Sequence, residues 1–301
     1  MIPRASLAVP LAVLLSSGTL AWAQDKPVAF VGARVIPIAG PEIENGVVVV
    51  HRGKVVAVGA AGAVAVPGDA TRRDVAGRIV MPGFVDTHSH IGGVEGADAS
   101  APIQPDVRAL DSIDLRDARM QKARAGGITT VNVMPGSGHL LSGQTVYLKL
   151  REAKVIDDLL LPNPKTGILG GMKMANGTNP RRKPPFPGTR AKSAALMREQ
   201  LVKAQEYRKK IQDAGDDAKK LPARDLGLEA LVEVLEGKRM VHFHTHRHDD
   251  ILTAIRLSKE FGFRVTLQHV SEAWKVADQI AAAGVPSSII VIDSPGGKLE
   301  A

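Results

Sequence analysis

The sequence predicts an α/β protein in which a small N-terminal β unit precedes an incomplete (β/α)8-type TIM barrel of about seven strands. Two patterns carry this prediction. Short β-branched runs punctuated by Gly, Pro and Asn-Gly occupy residues 25–80, and from residue 81 apolar strands alternate with helical stretches. An open doubly wound sheet is the alternative, but no Gly-x-Gly-x-x-Gly fingerprint follows the first strand of the alternating region.

Residues 1–24 have the pattern of a secretory signal peptide, with Arg4, an apolar run and then Ala21-Trp22-Ala23. A membrane anchor is the alternative, but Pro10 interrupts the run, which is shorter than the roughly 20 residues that a span requires. No later segment is long and apolar enough to cross a bilayer. We therefore expect no stable membrane span, and a periplasmic or secreted protein after cleavage near Ala23.

Composition narrows the function classes. The 301-residue chain is 44% hydrophobic and 23% charged, as in globular proteins. It contains no cysteine, so any metal must be held by nitrogen and oxygen ligands. The net charge of +8 comes from scattered basic residues, and aromatic residues make up only 3%. A nucleic-acid partner is therefore not expected.

The N-terminal unit is predicted to be antiparallel and sandwich-like. Its strands are expected within "VAFVGARVIPI", "NGVVVVHRGKVVAVG" and "RRDVAGRIVMPG". His51 lies between such strands and is interpreted as a solvated hairpin residue.

The barrel, residues 81–301, is predicted from alternating strands and helices. The strands are "FVDTHSH", "ITTVNVMPG", "QTVYLKL", "TGILGGMKMA", "RMVHFHTH", "FRVTLQH" and "SSIIVID". The helices include "SIDLRDARMQKARAGG", "SAALMREQLVKAQEYRKKIQ", "GLEALVEVLEG", "DDILTAIRLSKEFG" and "EAWKVADQIAAAG". Residues 176–190, rich in Pro and Arg, are predicted to form either a lid over the barrel mouth or a plain surface loop.

Histidines end three of the predicted strands. His88 and His90 alternate and so share one face, where two imidazoles can bind one cation or can simply be hydrogen-bonded. His244 and His246 lie at the end of a second strand, and His269 ends the next. Because each buried imidazole needs a polar partner, three such strand ends are hard to explain as core packing.

The motifs "PGFVDTHSH", "GMKMANGTNP", "VHFHTHRHDDI" and "LQH" together resemble the amidohydrolase superfamily, and within it the imidazolonepropionase-like branch. The resemblance extends from about residue 27 to the end of the chain. It implies a histidine pair ending barrel strand one, a carboxylated lysine or a carboxylate ending strand four, and histidines ending strands five and six. An aspartate ending strand eight is the implied general base.

Carried onto this sequence, the resemblance implies one or two divalent ions, zinc first, with manganese, iron and cobalt also compatible. Lys173 is the implied carboxylated lysine, with a lysine in an ion pair as the alternative. His242 is expected to lie deeper, in a structural role. The implied metal ligands are His88, His90, Lys173, His244 and His269, with His246 as the alternate for His244.

The implied reaction is hydrolysis of a carbon–nitrogen bond in a small amide, cyclic amide or peptide, by water activated at the metal. His139 in the loop 134–145, Arg181 and Arg182 are candidate substrate contacts, and solvated loop side chains are the alternative. Imidazolone-type rings, acyl-amino acids and proline-containing dipeptides all stay open as substrates. A homo-oligomer is compatible with the sequence.

The sequence departs from the family pattern at its end. Strand eight and its aspartate are expected beyond Ala301, and Asp293 comes too early to be that base, so no catalytic residue is assigned. The principal hypothesis is therefore a metal-dependent amidohydrolase. The alternative is a non-catalytic metal-binding fragment or remnant of such an enzyme.

Overall fold

The computed structural model describes residues 25–94 and 98–290. The predicted signal peptide and Asp293 lie outside the described residues. The chain divides into two compact units, Met1–Pro82 and Gly83–Ala301.

The described part of the first unit is a single five-stranded sheet in the order β3–β2–β1–β4, with β5 also paired to β1. Its strands are β1 (Val28–Val35), β2 (Ile43–His51), β3 (Lys54–Ala60), β4 (Thr71–Asp74) and β5 (Ile79–Val80). β2 pairs antiparallel with β1 and β3, but β4 and β5 run parallel to β1. The prediction of a wholly antiparallel unit is therefore wrong. Residues 61–70 connect β3 at one edge of the sheet to β4 at the other, so β4 runs in the same direction as β3 and β1.

His51 ends β2 at a tight hairpin. The following residues, Arg52 and Gly53, have φ of 49° and 73°, the left-handed values that a two-residue hairpin turn requires. The His51 side chain is half-buried rather than fully solvated.

The second unit mixes strands and helices. Its strands are β6 (Phe84–Ser89), β7 (Ile128–Val133), β8 (Leu141–Gln144), β9 (Val146–Lys149), β10 (Met172–Ala175), β11 (Val241–Thr245), β12 (Val265–His269) and β13 (Ser287–Ile289). Its α-helices are α1 (Ala118–Ala125), α2 (Arg190–Ala214), α3 (Leu226–Leu235), α4 (His248–Phe261) and α5 (Ala277–Ala283).

These strands form two sheets, β6–β7–β9 and β13–β12–β11–β10–β8. β6 and β7 are parallel, as are β10, β11, β12 and β13. Every residue of β10 and β11 is buried, as expected for central parallel strands covered on both faces. Between residues 83 and 290 the described strands form no closed barrel.

The predicted strand "QTVYLKL" runs in the opposite direction to its neighbours. β9 pairs antiparallel with β7, and β8 pairs antiparallel with β10. A parallel return needs a crossover of about a dozen residues or more, whereas only residues 134–140 separate β7 from β8. The prediction of a parallel strand here is wrong for that reason.

Thr145 lies between β8 and β9, so one extended segment takes part in both sheets. Its backbone N–H donates to the Gly171 carbonyl over 2.9 Å, and its hydroxyl accepts from the Gly171 N–H over 2.8 Å. The backbone also passes so close to Gly170 that a Cβ there would lie 1.9 Å from the Thr145 carbonyl oxygen. Only glycine fits this crossing point.

The helices begin and end at recognisable caps. The Thr189 and Asp225 side chains accept N–H bonds at the starts of α2 and α3, and Gly262 with φ 72° ends α4. Buried residues of these helices, such as Met197 and Leu231, pack with β10 and β11 in the largest apolar cluster. Among the described helices, none combines the length and the apolar character that crossing a bilayer requires.

Candidate metal centre

Three neighbouring parallel strands present their carboxyl ends at the same edge of the larger sheet. Ala175 of β10 lies opposite His244 of β11, and Thr245 lies opposite His269 of β12. Lys173 is buried in β10, and His246 follows β11 directly. The parallel pairing of these strands thus brings together side chains that are far apart in the sequence.

His88 and His90 come from β6 and the residue just after it, and their ring Nε2 atoms lie 3.3 Å apart. His90 Nδ1 is 2.7 Å from the Met134 carbonyl oxygen. Because a carbonyl only accepts, His90 carries its proton on Nδ1 and its Nε2 keeps a lone pair. Two nitrogens bound at about 2.0–2.1 Å to one tetrahedral zinc ion are about 3.3 Å apart. The pair therefore fits a shared divalent ion.

Lys173 is fully buried beside this pair. Its Nζ lies 3.4 Å from His88 Nε2 and 3.1 Å from the Met134 sulfur. Burial lowers the pKa of the Lys173 amine from 10.5 to about 7. Within the described ranges no ion pair joins Lys173 to a carboxylate, so the ion-paired alternative has no support there.

His244, His246 and His269 form a second group. Each offers one ring nitrogen, and these nitrogens lie within 4.8 Å of one another. The Asn179 amide nitrogen is 3.3 Å from His244 Nε2, and His246 Nδ1 is 2.7 Å from the Ser271 hydroxyl. Both candidates for the strand-five ligand therefore enter the group, and His246 does so from the residue after the strand.

His269 connects the two groups. Its ring centroid lies 4.4 Å from that of His88 and 4.6 Å from that of His244. We call the whole set the histidine–lysine cluster, and its members are His88, His90, Lys173, His244, His246 and His269.

The cluster favours neutral imidazoles. Burial, followed by the charge of Lys173, lowers the pKa of His88 to about 2. Burial also lowers the pKa of His90, and burial with the neighbouring histidines lowers that of His269. Since a neutral imidazole is the form that binds a metal, the donor set fits a divalent ion at neutral pH.

The backbone is strained where the cluster meets β12. His269 has φ 76° and Val270 has φ 40°, and a β-branched residue rarely adopts such a value. The Val270 N–H donates to the Thr245 carbonyl over 2.9 Å, which holds the turn against β11. Strain of this kind tends to occur at functional sites.

Segment 176–190 packs against the loop 134–140. The Asn179 amide donates to the Ser137 hydroxyl over 2.8 Å, and the Arg182 guanidinium donates to the Gly138 carbonyl. Arg182 also lies 3.8 Å above the Phe186 ring. Because Asn179 contacts His244 as well, this segment lies beside the cluster.

The three predicted substrate contacts differ in exposure. His139 is only 2% exposed and packs edge-on against Phe186, so the solvated alternative is wrong for it. Both of its ring nitrogens lack a hydrogen-bond partner among the described residues. Arg181 donates to the Gly177 carbonyl over 3.0 Å within its own loop, whereas Arg182 is exposed.

His242 lies outside the cluster, although it shares β11 with His244. It is buried, and its ring contacts Tyr147, Asn132 and Thr266. Sequence reasoning missed the partners of the cluster histidines, which are Met134, Asn179, Gln268 and Ser271. One signal was available, because Gln268 directly precedes His269 in "LQH".

No family model matches the chain. Among solved structures, an amidohydrolase from Thermotoga maritima MSB8 has a TM-score of 0.83 and 35% identity, covering 91% of this chain and 72% of that one. The amidohydrolase tasK of Hapsidospora irregularis is 29% identical over 232 residues, which is 68% of this chain and 23% of the relative. The imidazolonepropionase of Rhizobium rhizogenes is 31% identical over 150 residues, covering 41% of this chain and 37% of the relative. The chain therefore spans much less than two thirds of either curated relative.

Proposed function

Because the chain belongs to the amidohydrolase superfamily, we propose that it is an enzyme, a metal-dependent hydrolase of carbon–nitrogen bonds in small amides, cyclic amides or peptides. The observation that carries this proposal is the 3.3 Å separation of His88 Nε2 and His90 Nε2, with the buried Lys173 amine 3.4 Å from the first.

The proposed ligands are His88, His90, Lys173, His244 and His269, with His246 as the alternate for His244. A bound divalent ion, zinc first, would supply Lewis acidity that activates water and polarises the scissile carbonyl. The Met134 carbonyl holds His90 with its Nε2 lone pair available. The lowered pKa values of His88, His90 and His269 favour the neutral, metal-binding form of these three imidazoles at pH 7.

We propose that Lys173 is carboxylated. Its uncharged amine would attack the carbon of carbon dioxide, form the N–C bond and release one proton to solvent, which gives a carbamate with an anionic oxygen. The lowered pKa of Lys173 supports this step, because near neutral pH a large part of the amine is unprotonated. No described residue is assigned as the general base.

We propose that His139, Arg181 and Arg182 contribute to substrate binding. Arg182 is the exposed cation of this set, and its place beside Phe186 and Gly138 supports a role in pairing with a substrate carboxylate. Arg181 would hold the loop in which Arg182 lies.

Two further proposals rest on other grounds. The parallel pair β6–β7 and the four consecutive parallel strands β10, β11, β12 and β13, with the likeness to the Thermotoga protein, support a (β/α) barrel as the complete fold. The pattern of residues 1–24 is the support for export through a signal peptide.

The test is metal content, followed by activity. The purified chain, loaded with zinc and bicarbonate and then desalted, is expected to retain at least about one ion per chain by elemental analysis. His88→Ala should lose that ion, while His51→Ala, which changes a histidine of the first unit, should keep it.

Hydrolysis of a panel of acyl-amino acids, proline dipeptides and cyclic amides should accompany the metal and disappear in His88→Ala. A wild-type chain without stoichiometric metal would overturn the metal site. Retained metal without hydrolysis would overturn the enzyme and favour the non-catalytic metal-binding alternative.

A further inference from the structure

A hydrogen-bond path of mostly buried side chains joins the two sheets of the second unit and ends at the ring of His88. It runs from the Thr87 carbonyl through Asn132, His242, Thr266 and Gln268 to His88 Nδ1. The side chains of Asn132, His242 and Gln268 are less than a tenth exposed. Since buried polar groups must be satisfied, the direction of each bond along this path can be worked out in turn.

The Thr87 carbonyl sets the first direction, because it can only accept. The Asn132 atom 3.1 Å away must therefore be the amide nitrogen, and the same nitrogen lies 3.2 Å from His242 Nε2. His242 Nε2 is consequently an acceptor, and the Tyr147 hydroxyl lies 3.0 Å from the same nitrogen. A neutral His242 then carries its proton on Nδ1.

That proton is donated to the Thr266 hydroxyl oxygen, 3.0 Å away. The Thr266 hydroxyl hydrogen is directed to the Val241 carbonyl over 3.4 Å, so this oxygen accepts a second bond from the Gln268 amide nitrogen over 3.1 Å. The amide of Gln268 is thereby oriented. Its oxygen is turned toward His88 Nδ1 at 3.1 Å, and His88 must donate to it.

We propose that Gln268 is a positioning residue for the metal site. Through its amide oxygen it holds His88 as the Nδ1–H tautomer. The Nε2 lone pair of His88 then faces the Lys173 amine, which can donate to it over 3.4 Å in the metal-free protein, and lies 3.3 Å from His90 Nε2, with which it would share an ion. This inference rests on the proposed function, since it concerns how one of the proposed ligands is prepared for an ion.

The path leaves little freedom for the other tautomer. If His88 carried its proton on Nε2, Nδ1 would face the Gln268 oxygen lone pair to lone pair. Turning the Gln268 amide over would remove that repulsion but would place its oxygen 3.1 Å from the Thr266 oxygen, whose hydrogen is directed elsewhere. Partners that orient a ligating histidine typically change metal affinity about 10- to 100-fold when they are removed.

The first experiment reads the tautomer directly in the metal-free protein. Long-range proton–nitrogen NMR spectra at neutral pH distinguish Nδ1–H from Nε2–H imidazole, and His88→Gln identifies the His88 signals. Wild type should show the Nδ1–H form. Gln268→Leu, which removes the acceptor, should shift His88 toward Nε2–H, while Gln268→Glu, which keeps an acceptor, should not. The matched control is Gln144→Leu on strand β8 of the same sheet, whose side-chain amide donates to the Pro105 carbonyl.

The second experiment measures zinc affinity by competition with a chromogenic chelator. Gln268→Leu should bind zinc about 10- to 100-fold more weakly, with Gln268→Glu and Gln144→Leu close to wild type. If Gln268→Leu does not fold, Thr266→Val, which removes the hydroxyl that orients Gln268, replaces it in both experiments.

An unchanged His88 tautomer in the folded variant, or a wild type in the Nε2–H form, would overturn the proposal. Because the tautomer is read without metal, this result stands apart from the proposed function. A wild type that bound no zinc but showed the expected tautomer change would overturn the metal site and leave the positioning by Gln268 intact.

Discussion

Replacing Lys173 by methionine is expected to stabilise the metal-free protein while removing a proposed ligand. The Lys173 side chain is fully buried in β10 and lies against the Met134 sulfur. Methionine has nearly the same length, carries no charge and is flexible enough to pack beside the Met134 thioether. The substitution therefore removes a costly buried amine with little change in volume.

The magnitude follows from the lowered pKa of Lys173, which burial takes from 10.5 to about 7. Between these values the unfolded chain holds a proton that the folded chain has released, so the stability of wild type rises with pH across this window. Each pKa unit corresponds to about 1.4 kcal/mol, which gives a cost of about 5 kcal/mol at or below pH 7. At pH 10 the same reasoning leaves less than about 1 kcal/mol.

The assay is urea unfolding followed by circular dichroism, in buffers free of metal and carbon dioxide. Lys173→Met should be more stable than wild type by about 3–5 kcal/mol at pH 7, after allowance for relaxation around the amine, and by about 1 kcal/mol at pH 10. Lys149→Met, which changes an exposed lysine of β9, should show no such pH dependence. A stability difference for Lys173→Met that is constant between pH 7 and pH 10, or a less stable variant at pH 7, would refute the reasoning.

Three further predictions concern a glycine at a strand crossing, a buried ion pair and zinc binding. Gly170→Ala should destabilise the protein by at least about 3 kcal/mol in urea unfolding, because the new Cβ would lie 1.9 Å from the Thr145 carbonyl oxygen. The control is Gly188→Ala, whose new Cβ would have no atom within 4 Å. Equal losses of stability in the two variants would contradict the prediction. Arg190→Met should cost about 3 kcal/mol at pH 7, because it breaks the 2.7 Å bond to the buried Asp250. The loss should shrink toward pH 4, since burial already raises the pKa of Asp250 and protonation removes the unpaired charge; a loss that is the same at both pH values would be inconsistent. Zinc at 100 times its dissociation constant should raise the free energy of unfolding by about 2.7 kcal/mol, and a chelator should reverse this gain in a calorimetric scan. An unfolding transition that zinc leaves unchanged would show that the folded chain does not bind it.

Alternation and strand boundaries made much of the second unit predictable. Apolar runs ending in histidine marked β6, β11 and β12, and the period of two placed His88 and His90 on one side of the chain. The position of Lys173 came from the family resemblance, because a single lysine between methionines has no local pattern that reveals its burial.

Strand direction was harder to predict, because β-branched composition is the same for either direction. The connection 134–140 contained the missing information, since it is too short for a helical crossover. The partners of the cluster histidines, such as Met134 and Gln268, depend on contacts between residues far apart in the sequence. Such contacts leave no local signal in a single sequence.

The histidine–lysine cluster also has a consequence for the order of folding events. His88 and His269 are in ring contact although they come from β6 and β12, near opposite ends of the second unit. The cluster is therefore complete only after the long stretch of chain between these strands has folded back on itself. The unfolded chain offers an ion the nearby pair His88 and His90, but not the complete donor set. Full metal incorporation therefore belongs to the last stage of folding. An ion bound there would crosslink β6 and β12. Because this crosslink forms only late in folding, it would lower the unfolding rate more than it raises the folding rate.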